Sequence, residues 1–389
     1  MTIRPLPASA ASPASAARLR CDLVLTVSEH RILDIVRRHP GISRAEIAVQ
    51  TDLAQQSVHR LVEQLVQRGL LQVGETVRKG RGQPSPRIAL VSAARYALGV
   101  SVSTEAVTVC LADMGCQVLE EVTLRTAPRQ RAATLAAIGE AIGQMLARNQ
   151  VPRSRILGLC LAIPGFFVAE RRQMNASEPL RDWSLVDLRP SLEEAFGLPV
   201  WLENSATTAA IGESLVGVGR WAQNFVYLAF NYGFGSGMIL GGKPLFGTHG
   251  NAGELALFTA AEDRQRPTLR LLIEMLREEG VAVDSVADLR LCFDPNWPGV
   301  ASWIERVLPA LDRTVNAYAG LLDPEAIVFG GQLPPALGQL LLERVRFLDL
   351  HRYGVGPARP VLALSETRGD AAAIGAALVP LKDCLYGEP

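Results

Sequence analysis

Ser43-Arg44-Ala45-Glu46-Ile47-Ala48-Val49-Gln50-Thr51-Asp52-Leu53-Ala54-Gln55-Gln56-Ser57-Val58-His59-Arg60-Leu61-Val62, continued by Glu63 to Gly69, decides how the front of the chain folds. Ser43 and Glu46 stand at capping-box spacing: the hydroxyl can accept the N–H three residues on, and the carboxylate can reach back. The pattern predicts a short helix to about Thr51 and a turn at Asp52-Leu53-Ala54. A second helix follows, with Val58, Leu61, Val62, Leu65 and Val66 on one apolar face. Gly69 stands where a left-handed glycine ends a helix. Upstream, Ile32, Ile35 and Val36 mark a helix from Ser28 to Arg38, stopped by Pro40-Gly41. Three short helices with a tight turn before the third make a helix-turn-helix. Downstream, Leu71 to Val73 and Arg87 to Leu90 predict two short strands. Between them lies Arg78-Lys79-Gly80-Arg81-Gly82-Gln83-Pro84, the basic, glycine-rich tip of a wing.

The polar face of the third helix carries Gln55, Gln56, Ser57, His59 and Arg60. A glutamine amide can bond an adenine edge through two atoms, and an arginine a guanine edge. Arg44 and the wing residues Arg78, Lys79 and Arg81 suit phosphates or a narrow minor groove. His59 reads equally as a phosphate contact or an idle surface residue. The bland alternative is a helix-turn-helix that serves protein interaction, its cations merely solvated. Charge favours DNA: residues 1–90 hold 13 Lys and Arg against 7 Asp and Glu, while the remainder holds 26 against 32. The whole chain is neutral, which excludes a uniformly basic nucleic-acid binder and leaves a polarised one.

At 389 residues and 48% hydrophobic, the chain is long enough for several cores and too apolar for global disorder. Residues 1–20, rich in Ala, Ser and Pro, read as a disordered tail without a signal-peptide core. The longest apolar run, Ile156 to Ala169, is 14 residues and broken by Pro164-Gly165, too short for a membrane span. The six cysteines are scattered, with no CxxC pair and no readable disulfide framework, and read as core thiols, Cys292 included. A cytoplasmic protein with no membrane contact is expected.

From Tyr96 the texture changes. Tyr96–Ser103, Ala106–Ala112 and Gln117–Leu124 read as strands, Thr134–Asn149 as a helix and Ile156–Ala162 as a buried strand. Leu188–Phe196 and Ser205–Val216 read as helices about a strand at Val200–Leu202. Phe225–Phe230 and Gly237–Leu240 read as strands about a Gly-Phe-Gly-Ser-Gly turn. Helices at Pro267–Glu279 and Ala301–Leu321, a strand at Ala326–Phe329 and a helix at Ala371–Leu381 complete the pattern. It predicts an α/β body of two lobes with a cleft between them.

The order of motifs resembles the ROK family (repressors, open reading frames and sugar kinases), in the branch with an N-terminal winged helix. The resemblance rests on Leu98-Gly99-Val100, on Leu159 to Gly165, on Leu198-Pro199-Val200-Trp201-Leu202-Glu203-Asn204 and on Gly233-Phe234-Gly235-Ser236-Gly237. It continues through His249-Gly250-Asn251-Ala252-Gly253-Glu254-Leu255 and Asp323 to Gly331. It covers about residues 27 to 381 and implies an actin/hexokinase-like body. The expected division is a tail at 1–20, a winged helix-turn-helix at 21–90, a first lobe at 95–206 plus 371–386, and a second lobe at 207–370.

Kinases of the family carry their proton-accepting carboxylate in a Glu-Asn-Asp sequence, where this chain has Glu203-Asn204-Ser205. A serine cannot replace that base without an activator of its own. Ser101 and Ser103 stand where the first phosphate loop has Asp and Gly, and Asn231-Tyr232-Gly233 where the second begins Gly-Thr-Gly. The glycines at 233, 235 and 237 read as a plain hairpin, and Gly330-Gly331 as a strand–helix turn. The family's His and Cys-x-Cys zinc ligands have no counterpart, since Leu255-Ala256-Leu257 follows Glu254. No catalytic residue, no metal and no cofactor are therefore expected.

The resemblance carries sugar-hydroxyl contacts to Asn204 and Glu254, with Ser205 in place of an Asp and Leu257 in place of a His. Asn175, His249 and Asn251 are further candidates. Against these, Asn204 reads also as a helix cap, Glu254 as a structural carboxylate and Trp183 as packing. The expected function is a sequence-specific transcriptional regulator, a repressor with a sugar-like effector in an inactive kinase-derived cleft. Its expected partners are double-stranded operator DNA, a small carbohydrate-like effector and further copies of itself, as homodimer or homotetramer. The alternatives are a sugar kinase with an attached DNA-binding domain and a ligand-independent oligomeric regulator.

Overall fold

The computed structural model describes residues 23–77, 85–124, 126–259 and 265–387. Its front is helices α1 (Val27–Arg38), α2 (Arg44–Thr51) and α3 (Gln55–Gln67), then antiparallel strands β1 (Leu71–Val77) and β2 (Ser85–Leu90). Both α1 and α2 start at capping boxes, Thr26 with Glu29 and Ser43 with Glu46. Asp52, left-handed at φ 54°, ends α2 and makes the turn. Val58, Leu61, Val62 and Leu65 of α3 are buried with Ile32, Leu33 and Ile47. The strands run further than the sequence implied. Arg78, Lys79 and Arg81 lie outside the described residues.

The first sheet takes β3 (Tyr96–Val102), β4 (Val107–Asp113), β5 (Val118–Leu124), β6 (Ile156–Ile163) and β9 (Val200–Asn204), in the order β5-β4-β3-β6-β9. Helix α4 (Arg131–Arg148), the hairpin β7 (Phe166–Val168) with β8 (Gln173–Asn175), and α5 (Leu188–Phe196) fall between these strands in sequence. Helix α6 (Ser205–Val216) leads to the second sheet of β10 (Phe225–Phe230), β11 (Phe234–Leu240), β12 (Lys243–Pro244), β13 (Ala326–Gly331) and β14 (Val361–Leu364). Its order is β12-β11-β10-β13-β14. Helices α7 (Ala256–Thr259), α8 (Leu269–Glu278), α9 (Val286–Cys292), α10 (Val300–Leu322) and α11 (Pro335–Arg344) belong to this half, and α12 (Ala371–Leu381) returns to the first. Strands β3, β4 and β6 are buried throughout, as strands covered on both faces must be.

Helices α6 and α12 cross where the halves meet. A Cβ on Gly375 would collide with the Thr208 carbonyl, and one on Gly99 with the Ala373 carbonyl and the Ala377 N–H, so α12 lies flat on β3. Gly237 likewise admits α6, because a Cβ there would strike Ala206 and Ala210. The glycine-rich stretch is thus largely strand. The turn falls earlier, at Asn231 to Gly233, and close helix packing explains Gly237, while nothing stands within 4 Å of Gly233. Helices α9 and α11 and strand β14 had no expectation. Trp183 is fully buried, its Nε1 donating to Pro128 O at 2.7 Å: it is packing. Cys292 is exposed rather than buried, and Cys384 is disulfide-bonded, a pairing that spacing along the chain could not foretell.

One apolar cluster runs from Ile32, Leu33 and Val36 of α1 through Cys110 to Leu378, Leu385 and Tyr386. The front is therefore docked on the body. Arg37 Nη1 donates to Leu215 O of α6 at 3.2 Å, and its guanidinium lies 5.3 Å from the Tyr386 ring centre. No helix among the described residues is long and apolar enough to cross a membrane.

Candidate functional site

The expected site residues fall on two surfaces. On α3 the apolar stripe faces inward, so Gln55, Gln56, His59 and Arg60 stand exposed and Ser57 half-exposed on the opposite face. Ala54 supplies no side-chain cap, which leaves the leading N–H groups of α3 without a side-chain acceptor. Such an N-terminus attracts anions. Arg44 is placed differently: its guanidinium is ion-paired with Glu63 and mostly covered, clipping α2 to α3. Ser57 and Arg60 also border a groove of about 700 Å³, whose far side holds Glu29 and Arg68, paired at 3.0 Å.

The second surface is the cleft at the head of α6. Gly165, Asn204 and Thr207 meet Ser236, Asn251 and Glu254 about a space of roughly 30 Å³. That is near one water's share, and ligand pockets need about ten times more. The halves are therefore closed on each other.

Four of these polar side chains have a structural task. Asn204 Oδ1 accepts from Ala206 N at 2.7 Å and Thr207 N at 3.3 Å, capping α6, and Nδ2 donates to Gly165 O at 2.6 Å. Asn251 Oδ1 accepts from Phe167 N at 2.7 Å, and its Nδ2 donates to Phe167 O at 2.9 Å. That pair ties the second-sheet loop to β7. Glu254 Oε1 accepts from Ala256 N at 2.9 Å. Ser236 Oγ bonds Gly253 O and the Tyr318 hydroxyl, whose pKa burial pushes up.

The cleft brings together Asn204, Asn251 and Glu254. Ser205 opens α6 beside Asn204, and Asn175 ends β8 against Gly165. His249 is exposed on the loop, and Leu257 is 86% exposed. Ser101 is buried, and Ser103 Oγ closes a turn on Ala106 O at 2.9 Å. The Tyr227 hydroxyl accepts from Gly331 N at 2.6 Å, filling the space beneath Gly330-Gly331. Among the described residues no group of three or more His, Cys, Asp or Glu is arranged to hold a metal.

Sequence reasoning missed Arg171. Its Nη2 donates to Glu203 Oε2 at 2.8 Å, and the guanidinium lies 4.5 Å and 4.9 Å from the ring centres of Phe167 and Phe246. Burial pushes the Glu203 carboxyl up, while Arg171 and the Asn204 N–H pull it down. In sequence Arg171 stands in a Glu-Arg-Arg run with no motif to mark it.

Residues 97–266 match the model of the ROK family, and residues 25–82 that of the MarR family. The chain is 24% identical over 339 residues to the DNA-binding transcriptional dual regulator NagC of Escherichia coli, covering 81% of this chain and 82% of that one. A solved ROK family transcriptional regulator, a homologue of the E. coli MLC protein, shares the fold at TM-score 0.67 and 21% identity. The likeness covers 92% of this chain and 97% of that one. The ROK hexokinase of Thermus thermophilus gives TM-score 0.54 and 24% identity, over 73% of this chain and 97% of that one.

Proposed function

We propose that this chain, a ROK family domain behind a MarR-type winged helix, is a DNA-binding transcription regulator, a repressor that a small carbohydrate-like effector releases from its operator. One observation carries the reading. Helix α6, capped in the cleft by Asn204, runs to Val216, and in its last turn the Leu215 carbonyl holds Arg37 of the winged helix. A change of closure at one end of that rod reaches the DNA-binding front at the other, and an effector that prefers one arrangement shifts the population.

Gln55, Gln56, Ser57, His59 and Arg60, with Arg78, Lys79 and Arg81 of the wing, are the proposed DNA contacts. Arg44 joins them only if its pair with Glu63 opens. Asn175, Asn204, Ser205, Asn251 and Glu254 are the proposed effector wall, with His249 at its rim. The reading keeps the expected division into a front at 21–90 and two lobes, and assembles two or four copies so that paired winged helices meet a two-fold operator. Sugar phosphorylation would need a carboxylate at Ser205, and the kinase reading stands or falls with ATP consumption on hexoses.

The direct test is base preference, read by selecting duplexes from a random pool. Gln56→Ala is expected to change the preferred base at one position, by about 1–3 kcal/mol of discrimination. Arg60→Ala is expected to weaken the selected site. If Gln56→Ala ranks duplexes as the wild type does, α3 is not the reading helix.

A further inference from the structure

Arg171 occupies a receptor that it does not itself build. Phe167 and Glu203 belong to the first half, and Phe246 comes from the loop of the second. Together they offer two aromatic faces and a carboxylate at the edge, which is how proteins hold flat or compact organic cations. Asp383 adds negative field at Glu203. Glu203 is one residue from Asn204, so this receptor adjoins the cleft.

The present occupant fits poorly. Ala169, Glu170 and Arg171 are left-handed in succession, at φ 49°, 56° and 65°, a conformation unfavourable for residues with a Cβ. Arg171 Nη1 is buried against Gly250 without a hydrogen-bond partner, a loss that folding does not recover. A free cation would meet the same rings and carboxylate without the strained tether.

We infer that Phe167, Phe246 and Glu203 form a binding site for a small organic cation, an ammonium or guanidinium compound, and that Arg171 is its tethered stand-in. Entry of the cation expels Arg171 and removes its guanidinium from against Gly250 at the edge of the cleft. The site stands on this geometry; its regulatory consequence rests on the regulator reading above.

The test is the melting temperature of the full chain carrying Arg171→Ala, with methylguanidinium chloride, with methylurea of the same shape and no charge, and with matched sodium chloride. Methylguanidinium is expected to raise the melting temperature to saturation, as a ligand of the native state does. Methylurea and salt are expected to do nothing, and adding Glu203→Gln to abolish the rise. Wild type is expected to respond less, because Arg171 competes. Equal responses to methylguanidinium and methylurea, no response, or a response that survives Glu203→Gln would overturn the site. Should Arg171→Ala not fold, Arg171→Lys serves: its shorter, compact cation is expected to yield to methylguanidinium more readily than wild type does, and a response no larger than wild type's counts against the site. No DNA enters this experiment, so its failure leaves the regulator reading standing.

Discussion

Gly99 and Gly143 show what one missing Cβ can mean. At Gly99 the absent atom is where α12 lies, and at Gly143, on an exposed face of α4, nothing stands within 4 Å. Gly99→Ala is expected to destabilise by about 1–3 kcal/mol through overpacking, and Gly143→Ala to stabilise by about 0.5–1 kcal/mol through helix propensity. Thermal melts of the two variants check this, and equal shifts would refute the packing account. Local chemistry was legible at this scale. The Ser43–Glu46 box needs only its own spacing, and the cap reading of Asn204 likewise follows from its place before a helix. Glu203 and Arg171 were not legible as a pair, because they stand 32 positions apart with strand β8 and helix α5 between them. The hydroxyl-binding reading of Asn251 also missed its bonds to Phe167, which exist only once two distant segments meet.

At the scale of elements, helices with clear end signals were readable almost to the residue, as α5, α6 and α12 were, although α6 and α12 are buried nearly all round and carry no one-sided stripe. Strand β11 was not, since glycines weaken a strand and mark close approach of another backbone, and the approaching helix is invisible in its own sequence. The short α9, α11 and β14 lie between better signals and carry little periodicity of their own. Capping gives a prediction here. In α2 the Ser43 hydroxyl accepts from Glu46 N at 3.3 Å, and Glu46 Oε2 accepts from Ser43 N at 2.8 Å. Ser43→Ala is expected to lower stability by about 1 kcal/mol and to speed amide exchange at the start of α2. Unchanged exchange there would show that packing on Ile47 alone holds the helix.

For the whole molecule, the two lobes were legible from alternating elements, and the division of charge pointed to a separate front. The docking of that front was not legible, for Lys382, Tyr386 and α1 meet only in three dimensions. Lys382 Nζ donates to Gly242 O at 3.2 Å, with Asp34, Arg37, Arg38 and Asp383 around it. Burial lowers its pKa from 10.5 to about 8, more than Asp383 and Asp34 raise it. A folded pKa below the unfolded one means that the unfolded chain binds more protons between those values. Stability contributed here therefore rises as pH climbs from about 8 to 10.5. Melting temperatures of wild type and Lys382→Met across that range are expected to diverge by this rise, and parallel curves would contradict a buried charge at the junction.

The measurement closest to the central claim is fluorescence anisotropy of the full chain with duplex DNA from its own upstream region, against a scrambled duplex, at two salt concentrations. The account predicts specific binding that survives the higher salt while binding to the scrambled duplex is lost. Weak binding that ignores sequence and vanishes with salt would contradict it.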